Sequence, residues 1–418
     1  MGDKKLCVVG GGPAGMMAGL LFARAGVETV VLEKHGDFLR DFRGDTVHPS
    51  TLRIFFELGL LDGLLERPHD KVRDLRVFVG DKTEIQVADF SGIDPRWGFI
   101  AMMPQWEFLD FVADEARKYP NFTLLMDSEA TGLVGQDGRV TGVSYARAGQ
   151  RLEIAADLVI AADGRHSLLR DSSELPLRVL GAPMDVFWFR LPKQPTADNR
   201  STGVFTGGRI MALIDRGDYW QCAYVFAKGQ AEEIRARGLE EFRADVARVA
   251  ARIDPRVDSI GSWDDVKLLA VELDRLERWH RPGLLVIGDA AHAMTPIGGV
   301  GINVAVQDAV AAANILAGPM AEGRDLDPLL PRVRKRRLLA VRSIQAFQKL
   351  AQERIISRLL ASTAPVTRAA LPLRLLARFP LLRRLPAAFL GFGVRPEHVR
   401  SPEALAHLRH SRESGNPY

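Results

Sequence analysis

The chain has 418 residues, of which 47% are hydrophobic and 26% are charged, and its formal net charge is +4. This balance is typical of a globular protein and excludes a disordered or fibrous chain, and the length suggests about two domains. The start of the sequence lacks an apolar secretory region, and no apolar run is expected to reach transmembrane length.

The N-terminal stretch KKLCVVGGGPAGMMAGLLFARAGVETVVLEKH predicts a strand, a glycine-rich turn, a helix and a second strand. These elements are Leu6–Val9, Gly10-x-Gly12-x-x-Gly15, Met16–Ala25 and Thr29–Leu32. The glycines permit a tight turn, the close approach of a pyrophosphate, and close helix–strand packing. Glu33, at the end of the second strand, has the spacing of a carboxylate that binds a ribose. This fingerprint indicates a dinucleotide but does not distinguish NAD from FAD.

The middle of the chain predicts a β-sheet, one face of which is expected to line a pocket. Its elements are a hairpin around Gly80-Asp81, the strands Asp185–Leu191, Gly203–Thr206, Arg209–Ile214 and Tyr219–Phe226, a turn at Arg216-Gly217-Asp218, and a helix over Glu232–Arg252. Alternate residues of a strand face opposite sides. The sequence leaves open whether the face of Tyr219, Gln221 and Ala223 or that of Trp220, Cys222 and Tyr224 lines the pocket. Cys7 and Cys222 are expected to be core residues.

A second glycine cluster follows the apolar strand LLVIG near residue 286. Asp289 comes at the carboxyl end of this strand, where open α/β sheets bind ligands. Gly298, Gly299 and Gly301 then open a helix predicted over Ile302–Leu316, which should stop at Gly318-Pro319. Two helix N-termini are therefore available to a ligand. FAD satisfies both, whereas NAD alone leaves the second unexplained.

Three motifs in this order resemble those of the p-hydroxybenzoate hydroxylase-type, single-component FAD monooxygenases. They are Gly10–Gly15 with Glu33, the Asp163-Gly164 motif in DLVIAADGRHSLLR with Ser167 and Arg170, and the Gly288-Asp289 motif in GDAAHAMTPIGGVGINVAVQDA. The resemblance covers most of residues 5 to 345. It implies an α/β fold, in which a Rossmann-like FAD-binding domain is interleaved with a β-sheet substrate domain and followed by a C-terminal helical segment.

The domain boundaries predicted on this basis are discontinuous. Residues 1–75, 100–175 and 270–345 form the FAD-binding domain, and residues 76–99 and 176–269 form the substrate-binding sheet domain. Residues 346–408 form a C-terminal helical cap, and residues 409–418 are expected to be a disordered tail.

The first motif and the resemblance together imply the cofactor contacts. These are Gly10, Gly12, Pro13, Ala14, Gly15, Glu33, Lys34, Arg43, Gln105, Asp163, Gly288, Asp289, Pro296, Gly299, Val300, Gly301, Ile302 and Asn303. By resemblance, Asp289 would hold the ribityl hydroxyls and Arg43 would contact the phosphates and the ribityl chain. Gly299, Gly301 and Asn303 would face the pyrimidine edge of the flavin.

Pro296, Gly299 and His48 are the candidate catalytic residues. By resemblance, Pro296 would line the flavin face near the reacting carbon. His48 has two interpretations: it orients or deprotonates a substrate hydroxyl, or it is a helix-entry residue bonded to backbone. His292, inside the Gly-Asp motif, is expected to support that loop rather than to transfer a proton. No metal site is predicted.

The resemblance implies a monooxygenase that uses bound FAD, transient NADPH or NADH, and O2. A flavin C4a-hydroperoxide would hydroxylate an aromatic, phenolic, quinone-like or polyketide small molecule. The first alternative is an FAD-dependent dehydrogenase or reductase of a lipid or quinone, similar to geranylgeranyl reductases. The second is a non-catalytic flavin-binding protein.

The C-terminal region is rich in arginine and leucine. RVRKRRLLAVR predicts a solvated helix face, and the segment after it is expected to cap the substrate site, with peripheral membrane contact through its basic residues as the alternative. Nucleic acid is not an expected partner. We expect a cytoplasmic protein, with a membrane-peripheral location as the alternative, that is a monomer or a homodimer.

Overall fold

The structure is a computed structural model that describes residues 4–39, 46–79, 83–194, 201–206, 208–253, 255–361 and 371–404. Its strands, in chain order, are β1 Lys5–Val9, β2 Glu28–Leu32, β3 Thr46–Val47, β4 Asp70–Val72, β5 Asp74–Val79, β6 Thr83–Asp89, β7 Ile100–Met102, β8 Phe122–Leu125, β9 Glu129–Gln136, β10 Arg139–Arg147, β11 Gln150–Ala155, β12 Leu158–Ala161, β13 Leu177–Val179, β14 Met184–Pro192, β15 Thr202–Thr206, β16 Arg209–Asp215, β17 Tyr219–Ala227, β18 Lys267–Leu269, β19 Asp274–Leu276, β20 His280–Arg281 and β21 Leu284–Val286.

The α-helices are distributed along the whole chain. They are α1 Pro13–Arg24, α2 Pro49–Glu57, α3 Leu61–Leu65, α4 Gln105–Ala116, α5 Leu168–Ser172, α6 Ala231–Ala236, α7 Leu239–Val249, α8 Gly301–Ala321, α9 Leu330–Ala351, α10 Ser357–Ala361, α11 Leu371–Arg378 and α12 Arg384–Phe392. A π-helical turn over Gln352–Ile356 joins α9 to α10.

The nucleotide-binding sheet has the strand order β20-β21-β12-β1-β2-β8, and all its pairs except β20–β21 are parallel. Its central strands are apolar runs because both faces of the sheet are buried, one against α1 and α8 and the other against β10. Helix α1 packs on this sheet through Gly19, where an added Cβ would lie 2.7 Å from the side chain of Val31. The absence of a side chain at Gly19 thus lets α1 lie close to β2.

A seven-stranded sheet, in the order β18-β14-β17-β16-β15-β5-β6, contains the strands predicted for the middle of the chain. Strands β5 and β6 pair antiparallel as the predicted hairpin, whose turn at Gly80-Asp81 lies outside the described residues. One face, with Trp220 and Tyr224, packs on α6 and α7. The opposite face, with Ala223 and Val225, packs near Ile297. The second face therefore points toward residues 288–300, the loop that begins with the Gly288-Asp289 motif and is called the Gly-Asp loop below.

Two helix predictions are wrong in their bounds. The helix predicted over Glu232–Arg252 is broken into α6 and α7 at Gly238, whose φ of 97° is available mainly to glycine. The helix predicted to stop at Gly318-Pro319 continues through Pro319 to Ala321. Pro319 lies in the last turn, where it removes one helical hydrogen bond, and the fully buried Met320 holds that turn in the core.

The expectation about transmembrane length is also corrected. The stretch Ile297–Ala321 is long and apolar enough to cross a membrane by length and composition, but 83% of its most apolar window is buried inside the protein. It is therefore the core helix of the nucleotide-binding domain. Cys7 and Cys222 are both buried and unpaired, which confirms that they are core residues.

The expectation of a solvated basic face on α9 is wrong for one residue. Arg337 is 1% exposed, and its Nε donates to Asp308 at 2.8 Å. A guanidinium can be buried only when carboxylates pair with it, and Glu397, far along the chain, is its second partner. Of the predicted cap and tail, residues 362–370 and 405–418 lie outside the described part of the chain.

Candidate functional site

The three motifs meet at the carboxyl ends of neighbouring parallel strands. Val9 pairs with Ala161, and Ala161 pairs with Val286, so the three strands end at the same level. A Cβ on Gly10 would lie 2.4 Å from the Ala162 carbonyl oxygen, and a Cβ on Gly288 would lie 2.9 Å from Ala14 Cβ. The first motif is thus in direct contact with both of the others.

The three glycines of the first motif have different surroundings. Gly10 has a φ of 104°, and a Cβ on Gly15 would lie 1.8 Å from the Gly10 carbonyl oxygen. A Cβ on Gly12 would meet no atom within 4 Å. Helix α1 begins at Pro13, and no side chain caps its N-terminus. Gly10 and Gly15 therefore serve the turn and its packing, while Gly12 leaves open space in front of free backbone N–H groups.

Glu33, which directly follows β2, is bonded to the glycine turn of the first motif. The backbone N–H of Gly11 donates to one carboxylate oxygen at 2.8 Å, and that of His35 donates to the other at 3.1 Å. Glu33 is buried, whereas the neighbouring Lys34 is exposed. The carboxylate is thus fixed beside the glycine turn, in the place where a ribose diol would be bound.

The Asp-Gly motif is anchored by the start of α5. Ser167 Oγ donates to Asp163 at 2.5 Å, and the Leu169 N–H donates to the same carboxylate at 3.3 Å. Burial nevertheless raises the pKa of Asp163 above its usual value. In the same motif, Arg165 reaches Asp289 at 3.4 Å. This arginine was not among the predicted contacts, although it directly follows Gly164.

Asp289 lies in a short 3₁₀ turn, Gly288–Ala290, directly after β21. Its side chain is 33% exposed, so one side of the carboxylate is open while Arg165 holds the other. Gly288 has a φ of 63°, and an added Cβ would collide with Ala14. Glycine is therefore required here by packing against α1 as well as by backbone conformation.

A glutamine on α9 fixes the loop that carries Pro296. The fully buried Gln348 accepts from the Thr295 N–H at 3.3 Å and donates to the carbonyls of Thr295 at 2.9 Å and Ile297 at 3.0 Å. One turn earlier, Gln345 donates to the carbonyls of Asp274 and Ala293. Neither glutamine was among the site residues predicted from the sequence.

The N-terminus of α8 is tied to the strand before α2. Thr46 Oγ1 donates to the Gly299 carbonyl at 2.6 Å, and a Cβ on Gly299 would lie 2.5 Å from that hydroxyl. Asn303 accepts from the His48 N–H and the Thr51 hydroxyl, both at 2.8 Å, and donates to the Thr46 carbonyl. The Asn303 side chain is thus used within the protein, and only its main chain is available to a flavin.

The other residues around the first turn of α8 also have main-chain groups, rather than side chains, available to a flavin. Val300 and Ile302 are buried in the core. Gly301 has open space where its Cβ would be, and α8 has no side-chain cap. Pro296 is partly exposed beside the turn. The first turn of α8 therefore presents backbone N–H groups that no side chain covers, beside the open space at Gly301.

His48 is the N-cap of α2 and is wholly buried. Nδ1 is 2.8 Å from the Leu390 carbonyl, so it carries the proton, and Nε2 has no partner among the described residues. Burial lowers the pKa of His48 to about 4, so the ring is neutral at pH 7. The structure thus has the helix-entry arrangement, with the ring bonded to backbone.

His292 is bonded to the buried carboxylate of Asp308, an arrangement that suits support of the Gly-Asp loop. Its Nε2 is 2.6 Å from Asp308, and its ring lies 4.9 Å from that of Trp279. Burial alone would raise the pKa of Asp308, but His292 and Arg337 hold it below its usual value. Asp308 also accepts from the Gly288 N–H at 3.2 Å, so this buried carboxylate connects the Gly-Asp loop to α9.

The remaining predicted contacts are Arg43 and Gln105. Arg43 lies outside the described residues. Gln105 is the first residue of α4 and is half-buried. In the described part of the chain, no cluster of three or more metal-ligating side chains occurs.

These features fit an FAD. Gly12 and Gly301 leave space in front of two uncapped helix N-termini, which suit a pyrophosphate and the electron-rich pyrimidine edge of a flavin. Between them lies the half-open carboxylate of Asp289, which can accept hydrogen bonds from a ribityl chain. Glu33 stands at the opposite end of the first motif, on the ribose side.

Comparison with known proteins gives the same assignment. A family model described as an FAD binding domain matches residues 3–347. The 6-methylpretetramide 4-monooxygenase of Streptomyces rimosus is 31% identical over 95% of this chain and 94% of its own length. The protoasukamycin 4-monooxygenase of Streptomyces nodosus subsp. asukaensis is 25% identical over 77% of this chain and 81% of its own length.

A solved structure shows the same fold. The p-nitrophenol 4-monooxygenase of Pseudomonas putida DLL-E4 superposes with a TM-score of 0.73 at 20% identity, covering 92% of this chain and 96% of its own. The family match extends over all three motifs and over the sheets that bring them together. The chain therefore belongs to the FAD binding domain family and is an FAD-dependent monooxygenase of the p-hydroxybenzoate hydroxylase type.

Proposed function

We propose that this enzyme hydroxylates a phenolic or polyketide-derived aromatic compound, with NADH or NADPH as the reductant and O2 as the oxygen source. The observation that carries the proposal is the position of Ile297. This residue of the Gly-Asp loop packs with the apolar inner face of the seven-stranded sheet, so that face lies opposite the flavin-side loop. The end-to-end relative named as a 6-methylpretetramide 4-monooxygenase supports a ring-containing substrate.

The residues around the flavin would each have a limited role. The first turn of α1 would bind the pyrophosphate, and Asp289 would hold the ribityl hydroxyls. The N–H groups at the start of α8 would stabilise negative charge at the pyrimidine edge. The flavin supplies the redox chemistry, since it accepts a hydride and activates dioxygen. The protein would position the substrate ring and exclude water.

The substrate side is apolar, with few polar atoms. Trp188, Phe205, Ala212 and Val225 are partly buried on the inner face of the sheet. The indole Nε1 of Trp188 has no partner among the described residues. A flat aromatic ring suits this face, and one ring oxygen would satisfy the indole donor. These residues belong to the predicted substrate domain.

His48 would position the site rather than act as a base. A histidine whose pKa is about 4 is too weak to take a proton from an ordinary phenol. Its bonds to Asn303 and to the Leu390 carbonyl instead hold α12 and the start of α8 together. We therefore assign it to support of the turn Ile297–Gly299.

The test is oxygen incorporation. Purified holoprotein is incubated with ¹⁸O2, NADH or NADPH, and a panel of phenols, naphthols and tetracyclic polyketides, and the products are analysed by mass spectrometry. We expect one ¹⁸O atom in a hydroxylated product and faster NAD(P)H oxidation when that substrate is present. Reduction or desaturation of a lipid or quinone without oxygen incorporation would instead assign the dehydrogenase or reductase activity.

A further inference from the structure

The segment from Leu371 to Leu385 exposes large apolar side chains that the monooxygenase reaction does not use. Leu371, Leu375, Phe379, Leu381 and Leu385 are 65%, 43%, 52%, 72% and 68% exposed. A folded protein normally exposes such residues singly, and contiguous apolar patches mark interaction sites. We call these five residues, with Arg374 and Arg378, the basic-apolar patch.

Helix α11 presents the patch in one direction. Leu371 and Leu375 are one turn apart, and Arg374 and Arg378 lie beside them on the same side of the helix. Leu373 and Leu376, on the other side, are half-buried, and the helix contacts β6 there. The helix is therefore attached by one side to the sheet and leaves leucine and arginine together on its free side.

The exposure is built into the fold. Arg383 donates to the carbonyls of Leu376 and Ala377 at 2.9 and 3.0 Å, and to the side chain of Gln86 on β6 at 2.7 Å. These bonds hold the end of α11 against the sheet. The outward leucines thus cannot turn under the helix to reach the core.

The charge of the region selects the partner. No aspartate or glutamate occurs between residues 354 and 396, whereas arginines recur throughout this stretch. Leucine beside arginine on one helix side suits an anionic lipid surface, because the apolar side chains enter the acyl boundary while the guanidinium groups contact lipid phosphates. A two-fold contact between two copies through this patch would bring both pairs of Arg374 and Arg378 into one interface, and residues 354–396 contain no carboxylate to pair with them.

We propose that the basic-apolar patch docks this enzyme peripherally on an anionic phospholipid bilayer. Helix α12, which carries Leu385 of the patch, packs through Leu390 on the Gly-Asp loop, where a Cβ on Gly298 would lie 3.0 Å from that leucine. A docked patch therefore places α12, which packs on the Gly-Asp loop, close to the lipid. The inference does not depend on which compound is hydroxylated.

The test is co-sedimentation of the flavin-loaded protein with phosphatidylcholine vesicles that contain or lack phosphatidylglycerol. We compare the wild type with the double variant Leu381→Glu and Leu385→Glu, and with Arg374→Gln and Arg378→Gln. Val179→Glu, at a site that is 73% exposed on another surface, is the matched control. Flavin absorbance verifies that every variant is folded.

We expect binding only to the anionic vesicles, weakened by salt and by the double glutamate variant but not by the control. Each arginine removed should lower the partition coefficient about fivefold. The proposal is overturned if the wild type binds neither vesicle, if it binds both equally, or if the double variant binds as well as the wild type. Concentration-dependent self-association that the double variant abolishes would also overturn it and assign the patch to a second copy.

Discussion

The glycines of the first motif separate two physical roles at the scale of one residue. Gly15 is enclosed by the Gly10 carbonyl, whereas Gly12 faces empty space. Spacing in the sequence predicts both glycines equally. Only the structure distinguishes the glycine needed for packing from the glycine that leaves room for a ligand.

This difference predicts opposite effects of the same substitution. Gly12→Ala should change the free energy of unfolding of the flavin-free protein by less than about 0.5 kcal/mol, because the methyl meets nothing. It should lower flavin content, because the methyl occupies the pyrophosphate space. Gly15→Ala should destabilise even the flavin-free protein by about 3 kcal/mol or more. Urea unfolding and the ratio of flavin to protein absorbance measure the two effects; similar unfolding of both variants would contradict the assignment.

His48 predicts a pH dependence of stability. Burial lowers its pKa from 6.5 to about 4, so the unfolded chain binds a proton that the folded chain refuses. Stability should therefore fall as the pH drops from 6.5 to 4, with His48 contributing about 3 kcal/mol. His48→Asn should remove this part of the pH dependence, as measured by urea unfolding at pH 7.5 and pH 5. His280, whose pKa is also lowered, titrates in both proteins and cancels in the comparison.

At the scale of elements, α9 acts as the support of the Gly-Asp loop. Gln348 bonds the loop on both sides of Pro296. The next glutamine, Gln352, opens the π-helical turn after α9 and has a buried Nε2 without a partner among the described residues. Loop geometry near a reacting centre is a precondition for catalysis, since small displacements of reacting groups are costly. The two glutamines thus form a natural pair for comparison.

Gln348→Leu should loosen the loop because buried main-chain groups of Thr295 and Ile297 lose their partners. We expect the protein to retain flavin, while the share of NAD(P)H oxidation that yields hydroxylated product falls on the order of tenfold and hydrogen peroxide rises. Product and peroxide are quantified against NAD(P)H consumed. Gln352→Leu is the control, and its share of NAD(P)H oxidation that yields product should remain near that of the wild type. An equal fall in both variants would contradict the role assigned to Gln348.

The sequence predicted those elements that neighbouring residues specify. Both glycine motifs, the strands of the middle sheet and the start of α2 follow from local spacing and turn residues. Helix ends were less predictable, because the left-handed φ of Gly238 and the burial of Met320 depend on tertiary packing. The supporting contacts had no local signal: Gln348 and Thr295 are 53 residues apart, and Thr46 and Gly299 are 253 apart.

At the scale of the whole molecule, residues 396–404 form a strap that returns to the nucleotide-binding domain. Glu397 pairs with Arg336 and Arg337 on α9, His398 pairs with Glu57 on α2, and Glu403 pairs with Arg24 on α1. The strap therefore joins three helices that are distant in sequence. Through Arg337 and Asp308 it is also connected to the Gly-Asp loop.

Arg337→Met should be strongly destabilising because the buried Asp308 would lose its guanidinium partner, and Glu397 would keep only Arg336. We expect a loss of about 3–5 kcal/mol in the free energy of unfolding, with flavin released in the same transition. Arg332→Met, which removes an exposed charge from the same helix, should cost less than about 1 kcal/mol. Guanidinium titrations followed by flavin fluorescence give both values, and an equal loss for the two variants would rule out the buried network as the cause.

The strap also has a consequence for the timing of synthesis. Arg24 and Ser401, which share a hydrogen bond, are 377 residues apart. At about 5–20 residues per second, a ribosome makes the second partner roughly 20–75 s after the first. The first motif of the FAD-binding domain is among the earliest segments to be made, so α1 exists for this time without the strap. The contacts between α1 and the strap can form only after synthesis has reached residue 401.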